Sequence, residues 1–122
     1  MKEIKKVNIQ SKLDLLTELW TPKNIAELNN QYVKIAKFKG NFVMHNHQNE
    51  DELFYVIDGT LFIKLRDQVI KLNPGELVVI PKGVDHQPYA KQEVSVMLFE
   101  PKTTKNTGNI TNEFTISNPR GV

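Results

Sequence analysis

The feature that most constrains the fold of this chain is a series of short β-rich segments separated by turn residues. After residue 30 the chain alternates between turn residues and runs such as ELFYVI, TLFIKL, LVVI and VSVMLFE. Val, Ile, Phe and Tyr favour strands, whereas Gly, Pro, Asn and Asp favour turns. Many short strands at this spacing are typical of an all-β sandwich or barrel. The length of 122 residues indicates one domain.

The positions of the turn residues predict where the strands end. Asn29-Asn30 predicts a tight hairpin because Asn tolerates positive φ, and Asp58-Gly59 is a strong hairpin signal. Gly40-Asn41 and Asn73-Pro74-Gly75 predict further turns. We also expect a turn near Asp67-Gln68.

The start of the chain predicts a helix rather than a strand. Ser11 and Asp14 resemble a capping pair. The apolar residues that recur at helical spacing are Leu13, Leu16 and Trp20. We predict a short helix at about residues 11–19 that ends before Pro22. A lone aromatic residue usually serves packing, so we place Trp20 in the core.

The chain thus divides into three parts. Residues 1–30 form an N-terminal helix and strand extension, and residues 31–100 form an all-β barrel. Residues 101–122 are polar, and we expect this tail to be extended and held at few points, or disordered at its end.

Composition excludes several classes of function. The 16 basic and 14 acidic side chains leave a net charge of +2, which gives no electrostatic reason to expect nucleic acid as a partner. The chain has no cysteine, so it forms neither disulfides nor thiolate metal sites. No apolar run reaches membrane-spanning length, and the first residues contain no apolar signal core. We therefore expect a cytoplasmic protein that does not bind membranes.

Two of the three histidines lie one residue apart in the segment HNHQNEDE at positions 45–52. In an extended chain residues i and i+2 face the same way, so His45 and His47 would project together. Two imidazoles on one face can hold a metal when other ligands arrive from elsewhere. A polar surface loop is the alternative, and the HNH tripeptide by itself favours that alternative.

The full spacing resembles the two sequence motifs of the cupin family. The residues that match the first motif are Gly40, His45, His47, Glu52 and Gly59, with four residues between His47 and Glu52 and six between Glu52 and Gly59. The residues that match the second motif are Gly75, Pro81, Gly83 and His86. The resemblance covers about residues 31–100. It implies a single all-β cupin barrel, a double-stranded β-helix or jelly roll, here preceded by the short helix.

The resemblance also implies a bound metal. The ligands it implies are His45, His47, Glu52 and His86, and this donor set suits a divalent iron, manganese, nickel, cobalt or zinc ion. Glu50 and Asp51 are expected to be solvated acids rather than ligands. Asp85 is expected either to serve as a turn residue, or to orient the loop or hydrogen-bond a ligand histidine.

Two positions depart from the family pattern. Four residues separate Gly40 from His45 where the motif has five, which indicates a shorter turn. Ala90 stands where the family usually has asparagine. Because that asparagine is not usually a ligand, the departure puts in doubt a polar contact near the pocket and not the metal.

Alternation from the implied ligands predicts a mostly apolar pocket wall. Its residues would be Val43, Phe54, Val56, Pro88 and Ala90, whereas Tyr55, Tyr89, Lys64 and Arg66 would face away. All three histidines are used as ligands, so none is free as a general base.

We therefore expect a metal-dependent enzyme that acts on a small organic molecule, oxygenase-like because metal and oxygen would carry the chemistry in a dry pocket. The alternatives are a non-catalytic, metal-stabilised binding or sensor cupin and a sugar-isomerase-like cupin. We also expect a homodimer, with the segment WTPKNIAELNN swapped or docked, because the sheet edges need cover.

Overall fold

A computed structural model describes residues 3–112, 114–116 and 121. The elements within these residues are α1 (Ile9–Leu13), β1 (Lys23–Leu28), β2 (Gln31–Asn41), β3 (Glu52–Asp58), β4 (Leu61–Lys64), β5 (Val69–Leu72), β6 (Leu77–Ile80) and β7 (Gln87–Pro101). All pairs between these strands are antiparallel. The predicted all-β character is therefore confirmed.

The long strand β7 organises the sheet. The strand order is β1-β2-β7-β3-β6, and β4 pairs with both β5 and β7. The C-terminal half of β7 pairs with β3, whereas its first residues pair with β4. The segment VSVMLFE, expected as a separate last strand, is therefore only the second half of a 15-residue strand.

Two of the five turn predictions need correction. Asn29-Asn30 joins β1 to β2 with φ values of 47° and 63°, as predicted. Gly40-Asn41 is not a turn, because both residues belong to β2. Gly40 instead lies at a shift of register with β7 and has a φ of 81°. Glycine suits such a β-bulge because it adopts positive φ without steric strain.

Asp58-Gly59 ends β3 as expected, but it does not form a hairpin. Among the strand pairs that the structure describes, β3 pairs with β6 and β7, and β4 pairs with β5 and β7. A Cβ atom at Gly59 would lie 2.8 Å from the Glu93 carbonyl oxygen, so glycine is required by the close approach of β7. The turns near Asp67-Gln68 and at Asn73-Pro74-Gly75 are confirmed by hydrogen bonds from Leu65 to Gln68 and from Glu76 to Asn73.

The predicted helix is displaced and shorter. It begins after Asn8, whose Oδ1 accepts a hydrogen bond from the Ser11 amide at 2.9 Å, so Asn8 rather than Ser11 is the cap. The helix ends at Leu13, well before Pro22. The Leu16 amide donates to the Leu13 carbonyl three residues back, a tighter turn that cannot extend the α-helix. Leu13 and Leu16 still bury their side chains against Ile35.

The core lies between the inward faces of the strands. Along β3, Phe54 and Val56 are buried and Tyr55 is half-buried, which is the alternation expected from a strand with one buried face. Trp20 is 7% exposed and belongs to the same core cluster, stacked on Phe38 with ring centroids 4.2 Å apart. The prediction that Trp20 is a core residue is confirmed.

The described part of the tail folds back over the domain instead of extending away from it. Thr104 and Thr107 are buried, and Phe114 packs on Phe42 with centroids 5.1 Å apart. Residues 113, 117–120 and 122 of the predicted tail lie outside the described residues. Within the part of the chain that the structure describes, no helix has the length and apolar character needed to cross a membrane.

Candidate metal centre

The structure brings together the four side chains that the sequence implied as metal ligands. One donor atom each from His45, His47, Glu52 and His86 lies within 4.8 Å of the others. The four residues are between 0% and 5% exposed. Glu52 Oε1 is 3.3 Å from His47 Nε2 and 3.4 Å from His86 Nε2. This buried His/Glu cluster is compatible with metal binding.

Backbone pairing between the two motifs positions the histidines. His45 lies in the loop between β2 and β3 rather than in a regular strand. Its amide donates to the His86 carbonyl at 3.0 Å, and the His86 amide donates to the His45 carbonyl at 2.8 Å. The His47 carbonyl accepts a hydrogen bond from Gly83 at 2.7 Å. The HNH segment and the segment before β7 therefore run side by side, and Glu52 faces both as the first residue of β3.

Two backbone carbonyls orient two of the imidazoles. His45 Nδ1 is 2.9 Å from the Val43 carbonyl oxygen, and His86 Nδ1 is 2.9 Å from the Val84 carbonyl oxygen. A carbonyl only accepts, so each Nδ1 must carry the proton and donate. The Nε2 atom of each ring is thereby left with a free lone pair, as metal ligation requires.

Several atoms of the cluster are buried without a hydrogen-bond partner. They include His47 Nε2, Glu52 Oε1 and His86 Nε2. Leaving a buried polar atom unpaired costs about 1–3 kcal/mol. A cation held between these atoms would satisfy all three at once, so the residues present fit a metal ion.

Electrostatics keeps the cluster in its ligating state. Burial, assisted by the neighbouring His86, lowers the pKa of His45 to about 4, so this imidazole is neutral near pH 7. Burial alone would raise the pKa of Glu52, but the neighbouring Glu100, His47 and His86 side chains outweigh it and hold that pKa well below its usual range. The cluster therefore presents a neutral imidazole and an ionised carboxylate.

A second buried carboxyl, which sequence reasoning missed, contacts the first. Burial and the charge of Glu52 raise the pKa of Glu100 well above its usual range. Lys34 Nζ lies 2.7 Å from Glu100 Oε1, and these side chains are 1% and 2% exposed. Strand alternation in β2 could have predicted that Lys34 is buried, because Lys34 lies on the same face as the buried Ala36.

A cavity of about 30 Å³ lies beside the cluster. Seven apolar residues line it: Trp20, Pro22, Phe38, Phe42, Phe54, Pro88 and Leu98. Four polar residues complete the lining: His45, Glu52, Glu100 and Asn106. The wall is therefore mostly apolar, and four of its residues are aromatic.

Only part of the predicted wall lines this cavity. Phe54 and Pro88 do so, whereas Val56 and Ala90 are packed in the core cluster. Val43 is half-buried beside that cluster, and its carbonyl orients His45. The alternation of side chains along the strands predicted that these residues face inward, but it does not predict which of them line the cavity.

Asp85 connects the two histidine segments without contacting a histidine ring. Its Oδ1 accepts from Asn46 Nδ2 at 2.8 Å, and its Oδ2 accepts from Arg66 Nε at 3.0 Å. Of the two expectations for Asp85, the structure therefore favours loop orientation, through Asn46. Lys64 and Arg66 are exposed as predicted.

The two acidic residues that precede Glu52 form hydrogen bonds with groups outside the cluster. Glu50 accepts from the Thr103 hydroxyl at 3.0 Å, and Asp51 accepts from the Lys82 amide at 2.8 Å. Neither belongs to the cluster of four donors.

Comparison with known proteins agrees with this fold. The uncharacterized protein YdbB of Bacillus subtilis (strain 168) is 39% identical over 67 residues, covering 52% of this chain and 58% of that protein. The chain thus spans less than two thirds of the length of this curated relative.

Solved structures are similar over longer stretches. A cupin-2 domain containing protein from Shewanella frigidimarina NCIMB 400 is 47% identical with a TM-score of 0.77, covering 78% of this chain and 93% of that one. The Clostridium difficile EutQ protein is 27% identical with a TM-score of 0.58, covering 68% of each chain. Residues 32–101 match the family model described as the cupin domain. The chain belongs to the cupin domain family.

Proposed function

We propose that this protein binds one divalent transition metal through His45, His47, Glu52 and His86 and acts as a metal-dependent, oxygenase-like enzyme on a small organic molecule. The observation that carries the proposal is the set of buried, unpaired donor atoms that face one another in the cluster. Three imidazoles and one carboxylate suit iron, manganese, nickel, cobalt or zinc. Such an ion supplies Lewis-acid or redox chemistry when it is bound with a ligand position open.

The chain's own residues would prepare the site in three ways. The carbonyls of Val43 and Val84 fix two imidazoles in orientation, and Glu52 supplies negative charge. Aromatic side chains beside the cluster would limit the access of bulk water, which strengthens electrostatic interactions and suppresses side reactions. We take the sheet to close as a cupin double-stranded β-helix around this core, which is supported by β3 and β4 contributing buried residues to one cluster.

The size of the cavity supports a second candidate, a metal-stabilised binding or sensor protein without turnover. A water molecule needs about 10–15 Å³ of such space, so about 30 Å³ holds two or three waters rather than an organic substrate. Asn106 of the C-terminal segment lines the cavity, and this segment would have to move to admit a substrate. The sugar-isomerase-like alternative is supported by one carboxyl group at the cavity wall that is not a candidate ligand, that of Glu100.

Metal analysis combined with an oxygen-consumption screen tests the proposal. Protein purified without chelators should contain about one equivalent of transition metal. Glu52→Gln should lower the affinity about tenfold or more, whereas Asp51→Asn, its exposed neighbour, should not. Less than about a tenth of an equivalent after reloading contradicts the metal site. Full metal content without turnover on any compound in the screen favours the second candidate.

Two further expectations also stay proposals, the homodimer and the cytoplasmic location. The dimer is supported by the edge strand β1, which within the described residues pairs along its length only with β2 and leaves its last three residues exposed. The cytoplasmic location is compatible with a chain that contains no cysteine and therefore needs no oxidising compartment for disulfides.

A further inference from the structure

Three buried ionisable side chains form a row across three adjacent strands. Lys34 on β2 lies opposite Leu98 of β7, two residues from Glu100 on the same face. Leu53 of β3 lies opposite Phe99 of β7, so the preceding Glu52 lies beside Glu100. Lys34 Nζ is 2.7 Å from Glu100 Oε1, and Glu52 and Glu100 both line the cavity beside the cluster. The row runs from Lys34 through Glu100 to the candidate metal ligand.

A contribution to the stability of the fold does not by itself explain why Lys34 and Glu100 are buried as a pair. Both side chains are at most 2% exposed, so their polar groups have lost their hydration. Apolar side chains of similar volume commonly replace a buried ion pair without loss of stability. We therefore look for another role of the pair, and the position of Glu100 beside Glu52 points to one that involves the Glu52 carboxylate.

We propose that Glu100, held in place by Lys34, is a positioning residue that fixes the Glu52 carboxylate toward His47 and His86. This inference rests on the proposed metal site. Glu52 Oε1 lies 3.3–3.4 Å from both imidazoles, and Glu100 lies beside Glu52 across the pair of β3 and β7. Without that contact the carboxylate loses the neighbour that limits its rotation, so ordering it on a metal costs more free energy.

The test replaces the pair by apolar side chains of similar size. Lys34→Met/Glu100→Leu removes the contact with Glu52, whereas Glu100→Gln keeps an amide that can donate to Glu52 and a carbonyl that can accept from Lys34. The matched control is Lys102→Met/Glu27→Leu, which removes a surface pair with the same 2.7 Å separation. Each protein is measured for Zn²⁺ affinity by chelator competition, for the visible spectrum of its Co²⁺ form, and for the thermal midpoint of its metal-free form.

The double variant should bind Zn²⁺ about 10–100-fold more weakly and shift the Co²⁺ spectrum, while Glu100→Gln stays within about threefold of the wild type. The control pair should change neither readout. Wild-type affinity and spectrum in a folded double variant would overturn the inference, as would Glu100→Gln binding as weakly as the double variant. Should the double variant not fold, Lys34→Met alone gives the same test, because it frees Glu100 to move away from Glu52.

A metal-free readout separates this inference from the proposed function. If the wild type binds no metal, the proposed function fails, and crystal structures of the metal-free wild type and double variant still decide the inference. Glu52 should turn away from His47 and His86 in the double variant. An unchanged Glu52 overturns the positioning role.

Discussion

Gly108 of the C-terminal segment packs directly on Asn46, the residue between the two histidines of the HNH segment. A Cβ atom at Gly108 would overlap the Asn46 carbonyl oxygen and come within 3.0 Å of His45 Cδ2. The adjacent Asn109 amide donates to that carbonyl at 2.9 Å, and the Asn46 amide donates to Asn109 Oδ1 at 3.0 Å. The tail thus holds the loop that carries two of the candidate ligands.

Gly108→Ala should therefore detach the tail from the HNH segment. Positive φ and steric overlap act together at this position, and we expect a loss of about 2 kcal/mol or more in the free energy of unfolding. Gly75→Ala is the control, because Gly75 has a φ of 85° with no atom within 4 Å of the added Cβ. Urea unfolding of both variants measures the difference. Equal losses would show that the contact with Asn46 contributes nothing.

The stability of the metal-free protein should fall as pH drops from about 6.5 to about 4. The folded-state pKa of His45 is about 4, below the ordinary value of 6.5, so the unfolded chain takes up this proton first. Stability from this histidine is complete above pH 6.5 and is lost on acidification, by an amount on the order of 3 kcal/mol at most.

Urea unfolding between about pH 7 and pH 4.5 measures this slope in the wild type and in His45→Asn. Glu52 and Glu100 also titrate on acidification, but they are present in both proteins, so the difference between the two slopes isolates His45. Identical slopes would refute the lowered pKa.

Trp20 should report metal binding by fluorescence. It is the only tryptophan in the chain, and it lines the cavity together with His45 and Glu52. Paramagnetic Co²⁺ or Ni²⁺ at the cluster should quench its emission, whereas Zn²⁺, which is d¹⁰, should not. Saturable quenching in His86→Ala equal to that of the wild type would place the metal elsewhere.

Ala90→Asn should lower stability without changing metal content. Ala90 is 3% exposed and packed in the core, so an amide there is buried without a designed partner and costs about 1–3 kcal/mol. Ala26→Asn is the control, since Ala26 is exposed on β1. Loss of the metal in Ala90→Asn, measured by elemental analysis, would contradict the assignment of ligands.

The protein should sediment as a dimer. Sedimentation equilibrium at tens of micromolar should give twice the chain mass of 14.0 kDa. Leu28 is 47% exposed at the end of β1, and Leu28→Lys should favour the monomer if β1 docks on the second copy. Leu77→Lys alters the other edge of the sheet on β6 and serves as the control. A 14.0 kDa species for the wild type would rule out the dimer.

Local patterns in the sequence predicted the inward and outward faces of β3, and the spacing of the two motifs implied the set of donors. Alternation along β3 placed Phe54 inward and Tyr55 outward, because successive side chains of a strand point to opposite faces. Motif spacing implied that His45, His47, Glu52 and His86 belong together, although metal binding itself stays a prediction. Asn29-Asn30 formed its turn because its positive φ is set by residues adjacent in the chain.

Only the tertiary structure decided which distant segments meet around those donors. The contact of Lys34 with Glu100 depends on the register between β2 and β7, and that of Gly108 with Asn46 depends on the path of the tail. Asp58-Gly59 predicted a hairpin, but glycine is required at position 59 because β7 passes close to it. The alternation of side chains along a strand predicts which face of the sheet each side chain lies on. The residues that it contacts on that face depend on pairing between segments far apart in the chain, and local propensity does not encode that pairing.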